Sequence, residues 1–241
     1  TIHNTLNALG QSLQVLDGGG RVLVSNVHYS ANGGIASLNY GNGIQRVVQE
    51  NARQVIGRIA EGGVIDLSYS YDTSGNIVDI ADAVRGSPGH VAMGYDRLDR
   101  LVWASALSFG GSGHYTFGYD TLDNIVSMRL PGVRERTFHY DAKNRLELLR
   151  DEGSNAVKAF SYDVAGNMVL KSGQPLVFDV GGLLRSVNGG DNYFYDGAGL
   201  RAYSTGEVDR SWQHLSGGQM IESTRGAETS DYVYLYDKLL G

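Results

Sequence analysis

"SYDVAGNMVLK", residues 161–171, decides the fold. Tyr162 and Asp163 lead, Gly166 follows three residues after the Asp, and an apolar segment resumes at Met168. An Asp at the first position of a turn, with a residue free to adopt positive φ three places later, describes a type I turn closed by a G1-type bulge. The carboxylate can accept hydrogen bonds from the backbone N–H groups two and three residues on, so Asp163 reads as a staple that holds the turn shut.

The same pattern recurs without gaps: "YDTSGNIV" from 71, "YDRLDRLV" from 95, "YDTLDNIV" from 119, "YDAKNRLE" from 140, "YDVAGNMV" from 162, "FDVGGLLR" from 178 and "YDGAGLRA" from 195. Successive starts lie 24, 24, 21, 22, 16 and 17 residues apart, the span of one hairpin and its return connection. The lead aromatics are Tyr71, Tyr95, Tyr119, Tyr140, Tyr162, Phe178 and Tyr195, followed by Asp72, Asp96, Asp120, Asp141, Asp163, Asp179 and Asp196. The fifth position holds Gly75, Asp99, Asp123, Asn144, Gly166, Gly182 and Gly199. Gly, Asn and Asp are the residues that best tolerate the left-handed region. As general acids or bases, the leading aspartates would be seven copies of a group with no partner. A structural turn motif accounts for all of them.

The flanks alternate as strands do. Tyr69, Met93, Phe117, Phe138, Phe160, Leu176 and Tyr193 lie two residues before the lead aromatic, and Ile77, Leu101, Ile125, Leu146, Met168 and Leu184 open the outgoing strands. Each repeat is a two-stranded hairpin with one apolar face. A lone hairpin is marginal in water, so each must pair with its neighbours. In register, the lead tyrosines would form a row across the sheet.

Weaker copies extend the array. "LDGGGRV" from Leu16 keeps Asp17 and Gly20, and "YSANGGI" from Tyr29 keeps Gly33. Residues 44–59 read as a decayed hairpin turning at Glu50, Asn51 and Ala52, although the length leaves a helix open. Beyond 200, four strands are expected, turned at Thr205-Gly206, Ser216-Gly217-Gly218 and Arg225-Gly226-Ala227. "RGSPGH" at 85–90 is only a turn. The expectation is a single domain over 1–241, with clear repeats at 67–204, degenerate ones at 13–66 and 205–241, and about 20 strands in all.

Composition agrees. Of 241 residues, 34 are Gly and 3 are Pro, which suits tight turns between short strands. The net charge of −6 is dispersed, so no basic stripe invites nucleic acid or a membrane surface. No apolar run approaches a spanning helix, the first residues do not read as a signal peptide, and no Asn-x-Ser/Thr sequon occurs. Cys is absent, which excludes a disulfide scaffold or thiolate metal site.

The array resembles the YD-repeat, or Rhs, family. "SANGGIASLNYGNGIQRVV" is similar to a segment that recurs in that family, and "DYVYLYDKLLG" to a strand found late in its core. The resemblance covers residues 13–241. Members include bacterial Rhs toxins, the cocoon components of insecticidal Tc toxins and animal teneurins. It implies an all-β fold of repeated antiparallel hairpins in a curved, spiralling sheet, part of a hollow shell around a C-terminal toxin domain. It also implies secretion or delivery by a bacterial secretion system. Full shells are several hundred residues longer, and the "DPxGL" segment where Rhs cores cleave themselves is not among these residues. Self-cleavage and a toxin activity are therefore not assigned to them.

Catalytic chemistry is not expected. "LSGGQ" at 215–219 matches an ABC-ATPase signature, but no Walker A lysine accompanies it, and a hairpin turn is the better reading. His3, His28, His90, His114, His139 and His214 lack metal-ligand spacing. "GGSGHY" at 110–115 lacks the second glycine of a nucleophile elbow. Asp151 and Glu152 sit in a polar turn. No catalytic, metal or cofactor residue is proposed. Trp103 and Trp212, with 15 Tyr, would suit sugar stacking as well as a half-buried sheet. The leading function is a non-enzymatic shell segment whose partners are the rest of its own shell and an enclosed toxin, with self-association through sheet edges. The alternative is an adhesion module that binds a glycan or a cell-surface receptor.

Overall fold

The computed structural model describes residues 2–214, 218–232, 234–235 and 238–239. The described residues are strands and turns, with two single 3-10 turns at Ser87–Gly89 and Leu107–Phe109 and no α-helix. The chain divides into two compact units, Thr1–Arg136 and Thr137–Gly241.

The first unit holds β1 (Ile2–Leu6), β2 (Ser12–Asp17), β3 (Val22–Tyr29), β4 (Ile35–Tyr40), β5 (Gln45–Glu50), β6 (Ile56–Glu61), β7 (Ile65–Tyr71), β8 (Ile77–Asp82), β9 (Val91–Tyr95), β10 (Leu101–Ser105), β11 (His114–Tyr119) and β12 (Ile125–Leu130). Each pairs antiparallel with the next in sequence. β13 (Arg134–Tyr140) runs across the boundary between the units. In the second unit β14 (Leu146–Asp151), β15 (Ala156–Tyr162), β16 (Met168–Lys171), β17 (Gln174–Phe178), β18 (Leu184–Val187), β19 (Asp191–Tyr195), β20 (Arg201–Thr205), β21 (Arg210–His214), β22 (Met220–Arg225) and β23 (Glu228–Asp231) pair in the same sequential way. Two short strands, β24 (Tyr234–Leu235) and β25 (Lys238–Leu239), close a further hairpin. The fold is all-β, built from consecutive antiparallel hairpins.

The turns follow from backbone chemistry. Asp99, Asp123 and Asn144 have φ of 58°, 64° and 62°, and Gly75, Gly166, Gly182 and Gly199 are also left-handed. At each turn the Asp carbonyl accepts from the left-handed residue's N–H while the Asp N–H donates to the carbonyl one residue further, as at Asp72 with Gly75 and Asn76 and at Asp163 with Gly166 and Asn167. That is the pairing of a G1-type bulge.

Two expectations need correction, the start of the array and the strand count. The array starts earlier than residue 13: "LNALGQ" at 6–11 is a turn of the same design, with Asn7 Oδ1 accepting from Leu9 and Gln11 N–H and Gly10 at φ 76°. Asn supplies the same acceptor as Asp, which a search for "YD" passes over. Residues 44–59 form the hairpin read from the sequence and not the helix left open, turning at Asn51, whose Oδ1 accepts from Arg53 and Val55 N–H, with Gln54 in the left-handed position at φ 59°. With these elements and the extra terminal strands, the count is 25 among the described residues, above the 20 expected. The turn at 205–206 and the one at 226–227 stand between strands as read, with Gly226 at φ 60°. Most of "LSGGQ" and of the Ser216-Gly217-Gly218 turn lies outside the described residues.

The apolar face is thinly covered. The buried apolar residues among those described, Val15, Val24, Val27, Leu38, Ala104, Ala106 and Leu130, all belong to the first unit. Two glycines mark close approach. A Cβ at Gly41 would collide with the Val22 carbonyl, over which the "YGNG" turn folds, and one at Gly94 would collide with the indole of its cross-strand partner Trp103. The Trp103 ring also stacks on His114, with centroids 5.6 Å apart.

Candidate functional site

The leading aspartates sit where their strands turn, and each carboxylate is used locally. Asp96 Oδ1 accepts from the N–H of Leu98 at 2.9 Å and of Arg100 at 3.0 Å. Asp120 Oδ1 accepts from Leu122 and Asn124, Asp141 Oδ1 from Lys143 and Arg145, Asp179 Oδ1 from Gly181 and Leu183, and Asp196 Oδ1 from Ala198 and Leu200. The acceptance is therefore from two and four residues on, where two and three were expected. Asp72 alone takes Gly75 with Asn76, and Asp163 takes Asn167. The reason is that the third N–H is already committed to the Asp backbone carbonyl, as in Asp99 N–H to Asp96 O and Asn144 N–H to Asp141 O. The carboxylate reaches past it to the residue after the left-handed one.

That next residue is one the sequence reading passed over. It is Asn76, Arg100, Asn124, Arg145 and Asn167 in five of the repeats. Its side chain first closes its own turn. Asn76, Asn124 and Asn167 Nδ2 donate to Oδ2 of Asp72, Asp120 and Asp163, and Arg100 and Arg145 Nε donate to Oδ2 of Asp96 and Asp141. It then reaches the next repeat. Asn76 Nδ2 donates to Asp99 Oδ1 at 2.8 Å, an Arg100 terminal N–H donates to Asp123 Oδ1 at 2.7 Å, and one from Arg145 donates to the Asp163 carbonyl at 3.4 Å. Phe178 and Tyr195 repeats have Leu183 and Leu200 there; Arg185 takes over the contact to Asp179. The legible signal was the N/R alternation directly after the left-handed position.

The lead tyrosines form the second kind of link. Tyr71, Tyr95, Tyr119, Tyr162 and Tyr195 donate their hydroxyls to the carbonyls of Ile56, Ile77, Leu101, Leu146 and Leu184, at 2.6 to 2.9 Å. Each acceptor lies two residues past the left-handed position of the preceding hairpin. Each tyrosine thus fastens its own repeat to the one before. Phe178 has no hydroxyl to give. Guanidiniums from the preceding repeat lie over three of these rings: Arg100 over Tyr119 and Arg145 over Tyr162 at 4.7 Å, and Arg185 over Tyr195 at 5.6 Å. Cation–π contacts of this kind add attraction that hydrogen bonding alone does not supply.

The electrostatics follow from these bonds. The Asn76, Asn124, Arg145 and Asn167 side chains hold the carboxyls of Asp72, Asp120, Asp141 and Asp163 below the usual carboxylate range. At Asp96 and Asp179 the backbone N–H groups of Arg100 and Leu183 are the first cause of the same lowering. Burial pushes the phenols of Tyr95 and Tyr119 up.

The residues weighed for chemistry are spread apart. His90 Nε2 meets Asp79 Oδ1, His114 lies on Trp103, Asp151 Oδ1 caps Ser154 N–H, and Glu152 Oε1 accepts from the Thr137 hydroxyl. "GGSGHY" is the loop into β11. Among the described residues no three His, Cys, Asp or Glu side chains converge as a metal site. What the arrangement does is mechanical: at the junctions led by Tyr95, Tyr119 and Tyr162, one bond from the tyrosine and one from the Asn or Arg couple the hairpin to its neighbour.

No family model matches the sequence, and no curated protein is significantly similar to it. Solved structures are. A crystal structure of TcdB2-TccC3-TEV superposes with a TM-score of 0.73 at 15% identity, over 97% of this chain and 14% of the other. A crystal structure of TcdB2-TccC3 gives 0.60 at 17% identity, over 97% and 14%. The Photorhabdus luminescens Tc holotoxin pore gives 0.56 at 18% identity, over 97% and 15%. The chain spans about one seventh of the length of these proteins. Sequential hairpins, left-handed turn residues and this superposition agree: the chain has the fold of a stretch of the Tc toxin structures built from TcdB2 and TccC3.

Proposed function

We propose that the chain is a non-enzymatic structural segment of a YD-repeat shell, a wall that encloses a C-terminal toxin and helps deliver it. The observation that carries this reading is the direction of the bonds. The recurring polar chemistry is spent on neighbouring repeats, through the tyrosine hydroxyl to the preceding hairpin and the Asn or Arg to the following turn, as at Tyr119 and Arg100. A chain whose polar bonds run from unit to unit is built to extend, as repeat proteins are, since stability then grows with the number of interfaces. The sparse buried core points the same way, because a wall one sheet thick has little interior of its own. The Tc toxin structures with the same fold supply the analogy for the cargo.

On this reading the partners are the rest of the same repeat array and the enclosed toxin, with no nucleic acid. Delivery is outward, as part of a secreted toxin. The domain reading of one continuous array over 1–241 belongs to the same proposal, as does the purely structural role of the turn residues. The test is protease protection. The full reading frame around this segment is expressed, and the region following residue 241 is followed by limited proteolysis. Resistance of that region, lost when the array is unfolded by urea, is the expected result. Cleavage as fast in the native protein as in urea overturns enclosure.

A further inference from the structure

A cavity of about 280 Å³ opens on one face of β19 to β22. Tyr193, Arg201, Glu207, Arg210, Trp212 and Arg225 contribute to its wall. The register puts them there. Tyr193 pairs with Ser204, Ser204 with Arg210, and Arg210 with Arg225, so these positions share a face, and Trp212 joins them two residues past Arg210. The bulge between Phe194 and Tyr195 brings Arg201 opposite Tyr195, two residues from Tyr193.

Two independent features of this wall are uncompensated. Arg201 lies with its guanidinium 4.2 Å from the Tyr193 ring centroid, and its Nε is buried without a hydrogen-bond partner. Among the described residues its one hydrogen-bond contact is a long 3.5 Å approach to the Tyr195 hydroxyl. A buried donor left unmade is costly and rare in folded proteins. Arg210 and Arg225 stand directly opposite each other on neighbouring strands, where like charges destabilise a sheet. At Arg46 and Glu61, by contrast, two directly opposite residues carry opposite charges and form an ion pair. Glu228 faces Arg225 across the next pair and Asp191 and Glu207 lie at the cavity wall, so acceptors are also present. Local rules broken together at one concave place are the mark of a binding site.

We propose that this cavity binds an oxyanion carried on a small hydroxylated scaffold, the chemistry of a sugar acid or sugar phosphate. Arg210 and Arg225 grip the oxyanion, and their mutual repulsion is relieved when it enters. Asp191 and Glu207 accept from the ligand's hydroxyls, and the Trp212 ring offers a flat apolar surface to its C–H face. Arg201 sets the electropositive floor.

The test is calorimetric titration of the whole chain with glucuronate, glucose phosphate, glucose and inorganic phosphate. Saturable binding of glucuronate or glucose phosphate, with glucose and inorganic phosphate at least about tenfold weaker, is the expected result, and it also says which oxyanion is preferred. Arg210→Gln and Arg225→Gln should each weaken the preferred ligand roughly tenfold, the size of one charge-assisted hydrogen bond. Both residues are exposed, and losing one charge removes their repulsion, so the variants should melt at or slightly above the wild type, which separates lost binding from lost folding. Absence of saturable binding of both sugar anions, inorganic phosphate binding as tightly as either, or full affinity in the Arg210→Gln/Arg225→Gln double variant would each overturn the proposal.

Discussion

The junction between the repeats that begin at 162 and 178 lacks a bond that its neighbours have, and restoring it is a direct test of how the array holds together. Tyr162 donates to the Leu146 carbonyl at 2.8 Å and Tyr195 to the Leu184 carbonyl at 2.9 Å, each acceptor two residues past a left-handed turn residue. By the same rule the acceptor for position 178 is the Met168 carbonyl, two past Gly166, and Phe178 offers it nothing. Phe178→Tyr adds one partly buried neutral hydrogen bond, worth about 0.5 to 1 kcal/mol after the hydroxyl gives up water. Tyr162→Phe removes one and leaves a carbonyl without its donor, at a cost of about 1 to 1.5 kcal/mol. For a chain of this size each kcal/mol moves the melting temperature by about 2 to 4 °C. Urea and thermal melts of the two single variants and the double variant, followed by circular dichroism, read the effect. Opposite shifts of those sizes, additive within about 0.5 kcal/mol in the double variant, are expected for two separate junctions. If Phe178→Tyr is neutral or destabilising while Tyr162→Phe costs the full amount, the rule that the lead hydroxyl reaches the preceding hairpin fails at this junction. If Tyr162→Phe is silent, the hydroxyl bonds contribute nothing and the coupling of the array must come from the backbone ladder alone.

Further outcomes follow from the turns. At Gly166, where φ is 92° and a Cβ would meet nothing within 4 Å, any cost of substitution is backbone strain alone. Gly166→Asn should melt near the wild type, because Asn144 already takes that conformation at φ 62°, while Gly166→Val should cost about 1 to 3 kcal/mol; equal melting temperatures would refute the turn assignment. Asp163→Ala should lower the melting temperature more than Asp163→Asn, which keeps an acceptor for Asn167 N–H but loses one for Asn167 Nδ2; equal losses would show that the carboxylate acts through its charge. The turn carboxyls should also make the fold acid-sensitive. The folded-state pKa values of Asp72, Asp96, Asp120, Asp141, Asp163 and Asp179 are lowered, so their contribution is complete above the unfolded value near 3.9 and disappears as pH falls through the lower folded values. Melting temperature against pH should therefore be level from about 7 to 5 and fall below about 4. A curve that stays level to pH 2 would mean that the turns do not depend on ionised aspartates.

What could be read in advance was what the backbone dictates within one repeat. A left-handed residue at a fixed offset from an Asp leaves few turn geometries, and Asp99, Asn144 and Gly166 occupy the same one although their side chains share no function. Inter-repeat chemistry was less legible because it depends on which atoms meet across strands. Asn76 and Arg100 look unrelated in a sequence, yet both hydrogen-bond the Asp of their own turn and both reach the left-handed aspartate of the next one, Asp99 and Asp123. Length of side chain is what the sequence conceals here: the longer Arg spans the gap with a planar fork and covers the next tyrosine as well, while the shorter Asn does so only where the turns approach. The substitution of Asn for Asp at the head of a turn hid the hairpin at 6–11 and blurred the one at 51–55 for a related reason. The requirement is an acceptor oxygen at the right height, which Asn7 and Asn51 meet without a charge. The Arg210 and Arg225 pair shows the other limit. Each is an ordinary surface residue in the sequence, and only the register of β21 against β22 sets the two like charges opposite each other in the wall of a cavity. A repeat that spends its polar groups on its neighbours leaves few to spare for anything else, so like charges set opposite each other in the wall of a cavity in such an array call for a ligand in a way that the same charges on an irregular surface would not.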